Sequence, residues 1–243
     1  MKILALGNSF SEDATAYLEG IAPTLYVRNL HIAGCSLEMH AAHLAAGDPA
    51  YVFEENAKAI DAARVAANEV MKREPWDVIT VQQASHFSGL PETYEPHLTR
   101  VIEAIRTIRP GARIVFHETW AYAKDSTHAQ FCRYRNDQAE MARAIRRTAG
   151  WAAAAHGLDR IPTGRFIAYL RANGPAVGDE YTRDGFHMNL PYGRYAAALV
   201  WAHFFGAPVT DFCPEGADPD VLHEIRALYE RFAVAEENDG AEP

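Results

Sequence analysis

Short apolar runs alternate along this chain with longer stretches of helical periodicity. Ile3-Leu4-Ala5-Leu6 is an uninterrupted apolar run broken by Gly7-Asn8-Ser9, the pattern of a buried parallel strand that enters a tight turn. A helical pattern starts near Asp13 and carries Tyr17, Leu18 and Ile21, with Ser11 and Asp13 as candidate N-caps. The same criteria make strands of "TLYVRNLHIAG", ending at Gly34, of "WDVITVQQ" and of "ARIVFHET", and they place a fifth within "LDRIPTGRFI". Helices are expected from about Asp61 to Lys72, Leu98 to Ile108 and His128 to Ala155, and again around "PYGRYAAALVWAHFFG" and "DPDVLHEIRALYERFAV". Pro75 closes the first of these, and Pro110-Gly111 marks the turn into the fourth strand. Strands that alternate with helices predict an α/β fold of three layers, α/β/α, around a central, mostly parallel, five-stranded sheet.

Length and charge narrow the function class. With 243 residues the chain suits one domain, expected over 1–233, followed by an acidic tail, 234–243, expected to be disordered. Lys plus Arg total 23 against 32 Asp plus Glu, a net charge of −9, which argues against a nucleic-acid partner. No apolar stretch is long enough to span a membrane. The N-terminus turns polar too soon after Leu6 for a secretory signal, so a cytoplasmic location is expected. Cys35, Cys132 and Cys213 are widely spaced and form no C-x-x-C pair, which suits reduced thiols.

Parallel strands bring their carboxyl ends to one edge, where open α/β sheets bind ligands. The predicted ends there are Gly7-Asn8-Ser9, Ala33-Gly34-Cys35-Ser36, Gln82-Gln83-Ala84-Ser85 and His117-Glu118-Thr119-Trp120. Any one of them fits a solvent-facing sheet boundary; four together predict a site. A base for Ser9 appears in "YTRDGFHMNLPYGRY", where Asp184 and His187 are three residues apart and Gly185 permits a tight loop. A carboxylate at that spacing can hold one imidazole nitrogen while the other reaches a hydroxyl. D-x-x-H alone is weak, because an Asp-Gly turn followed by a histidine is common.

Taken together, Gly7-Asn8-Ser9, Gly34, Gln82-Gln83 and Asp184/His187 resemble, in order and over nearly the whole chain, the motif blocks of the SGNH, or GDSL-type, hydrolase superfamily. Within it, "GNSFS", "AGCSLEMH", "VQQASHFSG", "FHETWAY" and "DGFH" are similar to a bacterial branch of unassigned function, and the motif style is similar to that of carbohydrate acetylesterases. The resemblance implies a flavodoxin-like sheet and a catalytic triad of Ser9, His187 and Asp184. It also implies an oxyanion hole made of the Ser9 and Gly34 N–H groups and the Gln82 amide, with no cofactor. Two departures stand out. Gln-Gln replaces the usual G-x-N-D element, and strand alternation should send only one of the pair into the site, Gln82 being favoured over Gln83. The G-x-S-x-G elbow of α/β-hydrolases is absent.

The expected substrate is a small acyl, chiefly acetyl, ester of a small molecule or carbohydrate. Gln83, His40, His86, His117, Trp120 and Tyr122 are candidate substrate contacts, since aromatic faces with polar edges suit sugars. His31, His40 and His43 are not completed into a metal site by any H-E-x-x-H or carboxylate cluster, so no metal is expected. Cys35 beside Gly34 is a rival nucleophile with no partner histidine evident from spacing. A catalytically degenerate, glycan-binding or small-molecule-binding domain on the same fold is the alternative function.

Overall fold

The computed structural model describes residues 1–178 and 180–239. In chain order its elements are β1 (Lys2–Gly7), α1 (Ser9–Thr15), α2 (Leu18–Ile21), β2 (Tyr26–His31), α3 (Leu37–Ala46), β3 (Val52–Glu55), β4 (Lys58–Ala59) and α4 (Ala67–Arg73). They continue with β5 (Val78–Val81), α5 (His97–Ile108), β6 (Arg113–His117), α6 (Gln138–His156), β7 (Asp159–Ile161), α7 (Thr163–Asn173), α8 (Gly193–Phe204) and α9 (Pro219–Asp239).

The sheet order is β4-β3-β2-β1-β5-β6-β7. The five strands from β2 to β7 in that order pair in parallel. The expectation of five strands is corrected to seven: β3 pairs antiparallel with β2, and β4 pairs antiparallel with β3. Asn56 (φ 51°) and Ala57 (φ 59°) are both left-handed in the two-residue connection, as a hairpin turn matched to strand twist requires.

Alternate residues of each parallel strand enter opposite cores. Ile3, Ala5, Val78 and Val115 pack with apolar residues of α1, α2, α7, α8 and α9, while Leu4, Leu6, Ile79, Val81 and Phe116 pack with α3, α4 and α5. Helix α6 feeds both cores, through Met141 and Ile145 on one side and Ala149 and Ala152 on the other. Both faces are covered, which is why these strands read as unbroken apolar runs.

Several boundaries move. Strand β2 stops at His31, before Gly34, and the expected helix from Asp61 is confined to Ala67–Arg73. The expected long helix from His128 is a 3₁₀ segment, Ala129–Tyr134, then a break where Arg135 and Asn136 have positive φ, then α6 capped by the Asp137 side chain. Helix α7 was hidden behind Pro162 and Gly164. Helix α9 runs to Asp239, so residues 234–239 of the expected disordered tail are helical; 240–243 lie outside the described residues. Among the described residues no helix is long and apolar enough to cross a membrane.

Candidate active site

The end of β1 is built for close approach. A Cβ on Gly7 would meet Ser11 Oγ at 2.3 Å and Gln82 Cδ at 3.1 Å, so glycine lets Ser11 and the Gln82 amide pack directly against the strand end. Asn8 is the cap of α1: its Oδ1 accepts from Phe10 N (3.0 Å) and Gln82 Nε2 (2.6 Å), and its Nδ2 donates to Cys35 O (3.0 Å). Ser9 is therefore the first helical residue, where backbone N–H groups lack helical partners. Ser11 and Asp13, the expected caps, instead lie inside the helix and are buried.

Ser9 Oγ lies 2.8 Å from His187 Nε2, and His187 Nδ1 lies 2.6 Å from Asp184 Oδ2. The carboxylate accepts a hydrogen bond from Nδ1–H and so fixes the proton there, which leaves Nε2 to accept from the serine hydroxyl. Asp184 Oδ1 also accepts from the backbone N–H groups of His187 (2.8 Å) and Phe186 (3.2 Å). Partial burial pushes the Asp184 carboxyl up, but the hydrogen bonds from His187 and the two N–H groups outweigh it and hold it below the usual value.

The histidine loop is pinned from three directions. Gly185, at φ 87°, gives its carbonyl to Ala123 N (2.8 Å), and Trp120 Nε1 donates to Phe186 O (2.8 Å). Trp120 in turn stacks on Phe10 of α1 at 4.3 Å. Asp13, fully buried, accepts from Arg183 Nη1 (2.9 Å), Met188 N (2.8 Å) and Arg194 Nε (2.8 Å). One carboxylate on the serine helix thus grips both flanks of the Asp184–His187 loop. Sequence reasoning missed this role; the available signal was an acid on the apolar stripe of α1, between Phe10 and Ala14.

Gly34 lies at φ 63° in a turn closed by Cys35 N to Ile32 O (3.1 Å), and a Cβ there would meet no heavy atom within 4 Å. Of the two glutamines, Gln82 touches the Gly7-Asn8-Ser9 segment. Its Nε2 donates to Asn8, and its Oε1 accepts from His117 Nδ1 at 2.8 Å, leaving one Nε2 hydrogen beyond these bonds. Gln83 points away: Oε1 accepts from Leu37 N and Ala84 N, and Nε2 donates to Thr93.

Five of the six expected substrate contacts are buried. Gln83, His40, His117, Trp120 and Tyr122 are at most 1% exposed and each makes an internal bond, with Nε2 of His40 and of His117 left without a partner among the described residues; Tyr122, for example, bonds Ser85 at 2.9 Å. They form the backing of the site, and burial drives His117 down to about 3, keeping it neutral. His86 is partly exposed. His128, which sequence reasoning did not single out as a contact, lies 4.8 Å from Phe186 and 4.7 Å from Tyr122 between ring centroids.

Cys35 does have a histidine, His40 Nδ1 at 3.5 Å, but burial pushes the thiol up to about 12 and the imidazole down to about 3, so the pair stays neutral and unreactive. His40 and His43 do not join a metal set. Among the described residues, Glu12, His31 and Glu54 are the group able to hold a cation, with donor atoms within 4.8 Å of one another.

The DUF4886 family, described as a domain of unknown function, matches residues 2–221. A DUF4886 family protein from Bacteroides uniformis ATCC 8492 is 32% identical, with a TM-score of 0.82 over 96% of this chain and 95% of that one. A protein from Slackia heliotrinireducens, provisionally named an SGNH hydrolase, is 27% identical, with a TM-score of 0.60 over 85% of this chain and 99% of that one. The lipase/acylhydrolase from Enterococcus faecalis shares the fold at 15% identity, with a TM-score of 0.52 over 84% and 94%. No curated protein matches the sequence.

Proposed function

We propose, from the premise that this chain belongs to the DUF4886 family, that it is a serine esterase cleaving a small acyl, chiefly acetyl, ester borne by a carbohydrate or similar small alcohol. The observation that carries this reading is the unbroken chain Asp184–His187–Ser9, with contacts of 2.6 and 2.8 Å. The names of the SGNH and acylhydrolase neighbours support hydrolysis of an acyl bond.

In this mechanism Ser9 Oγ adds to the ester carbonyl carbon as His187 Nε2 takes its proton, and Asp184 stabilises the resulting imidazolium. The oxyanion is met by the N–H groups of Ser9 and Gly34, with the remaining Gln82 Nε2 hydrogen as third donor. Collapse breaks the bond to the alkoxide, which takes the proton from His187. Water, deprotonated by His187, then attacks the acyl-serine and returns free acid and Ser9. These steps use this chain's own residues and call for no cofactor.

The test is turnover of short acyl esters by the purified protein and by Ser9→Ala. The expected result is hydrolysis that loses at least ~10³-fold in kcat in the variant. Absence of turnover in the wild-type protein would transfer the assignment to a glycan-binding domain on the same fold.

A further inference from the structure

His187 must return its proton to the departing alkoxide, so the alcohol half of an ester leaves past the imidazole, away from the Ser9 and Gly34 N–H groups. One neighbour of that ring is Phe10, 6.1 Å away between centroids and 2% exposed, so it offers no room. Phe186 packs closer to the ring, at 4.2 Å. His128 meets Phe186 edge-on at 4.8 Å, and His86 lies nearly parallel to His128 at 6.3 Å. Phe186, His128 and His86 are all partly exposed, unlike the buried Tyr122 against which His128 and Phe186 pack.

The chemistry of that wall is specific. His128 Nδ1 accepts from Gln130 N at 3.2 Å, capping the 3₁₀ segment, so its proton resides on Nε2, a donor. Burial lowers the His128 pKa, with His187 adding to the effect and Asp184 opposing it, and burial, His128 and Arg133 lower that of His86. Uncharged rings with apolar faces and N–H edges suit a ring alcohol, whose C–H face stacks while its hydroxyls accept.

We infer that Phe186, His128 and His86 form the subsite for the alcohol half of the substrate, that it takes an uncharged, hydroxyl-bearing ring alcohol, and that His128 Nε2–H donates to one of that ring's oxygens. The inference rests on the esterase reading and adds which residues discriminate.

The experiment compares kcat/KM for a mono-acetylated methyl glucoside with that for ethyl acetate, whose alcohol is too small to reach the wall. In His128→Phe the ratio of the two falls about five- to tenfold, the worth of one neutral hydrogen bond. His128→Asn, which keeps a capping side chain for the Gln130 N–H, gives the same fall, so loss of the cap does not explain it. A ratio unchanged in both variants, or equal losses on both esters, overturns the inference and leaves the esterase reading standing. Calorimetry of the same glucoside with Ser9→Ala protein, with and without His128→Phe, tests the subsite without turnover. Equal affinities overturn it, and absence of hydrolysis by the wild-type protein counts only against the esterase reading.

Discussion

Replacing Asp13 by Asn tests whether one buried carboxylate sets the alignment of Ser9 with His187. The side chain is 0% exposed and takes donors from Arg183 and Arg194 and from the Met188 backbone at 2.8–3.1 Å. Asparagine preserves the volume but has one acceptor oxygen. Whichever way the amide is turned, its NH2 faces either the Met188 N–H or a guanidinium. The charge that both arginines neutralise is also gone. Breaking a buried ion pair from one side costs about 3–5 kcal/mol, and a chain of this size shifts in Tm by roughly 2–4 °C per kcal/mol, so a fall of about 6–20 °C is expected. Scanning calorimetry measures it. On a short acyl ester kcat should fall more than tenfold while KM changes little, since the lost order lies in the loop holding His187 and not in a substrate contact. A folded variant with wild-type Tm and kcat would refute the claim that Asp13 holds the loop.

Gln82→Ala should lower kcat by about 10²–10³ with little change in KM, because it removes both a candidate oxyanion donor and the bond to the Asn8 cap. Gln83→Ala should instead lower Tm and spare kcat, since that amide ties Leu37, Ala84 and Thr93 together; steady-state kinetics with calorimetry separates the two. The folded Asp184 carboxyl lies below its ordinary value of 3.8, so its contribution to stability is present above 3.8 and is lost as pH falls through the lower folded value. Denaturant unfolding across that window should show a steeper acid loss for the wild-type protein than for Asp184→Asn, and equal slopes would contradict the assignment.

The parts of the fold legible from sequence were those with a strong local pattern. Strands β1, β5 and β6 are covered on both faces and so appear as apolar runs, and Asp184 and His187 are close enough in sequence to announce a shared loop. Strand β3 escaped because Val52-Phe53-Glu54-Glu55 is half polar, its carboxylates being bonded to Asn29 and His31 on β2 and to Arg28, partners twenty or more residues away. Helix α7 escaped because Gly164 looks like a turn residue. It is glycine because a Cβ there would come within 2.1 Å of Thr119 O. Trp120 and Tyr122 were correctly placed near the strand ends, but whether an aromatic side chain faces a ligand or backs the residue that does is decided by tertiary burial, which no local pattern encodes.

The sheet's outermost strands have a consequence for how the molecule meets other molecules. On one side it ends in β4, two exposed residues, Lys58 and Ala59, and on the other in β7, three residues long. An incoming extended chain would find only two or three unpaired backbone rungs at either border, one of them guarded by a lysine charge. Edge-to-edge polymerisation is thereby discouraged in a protein whose central strands are largely apolar. Self-association, where it occurs, is left to the helical layers.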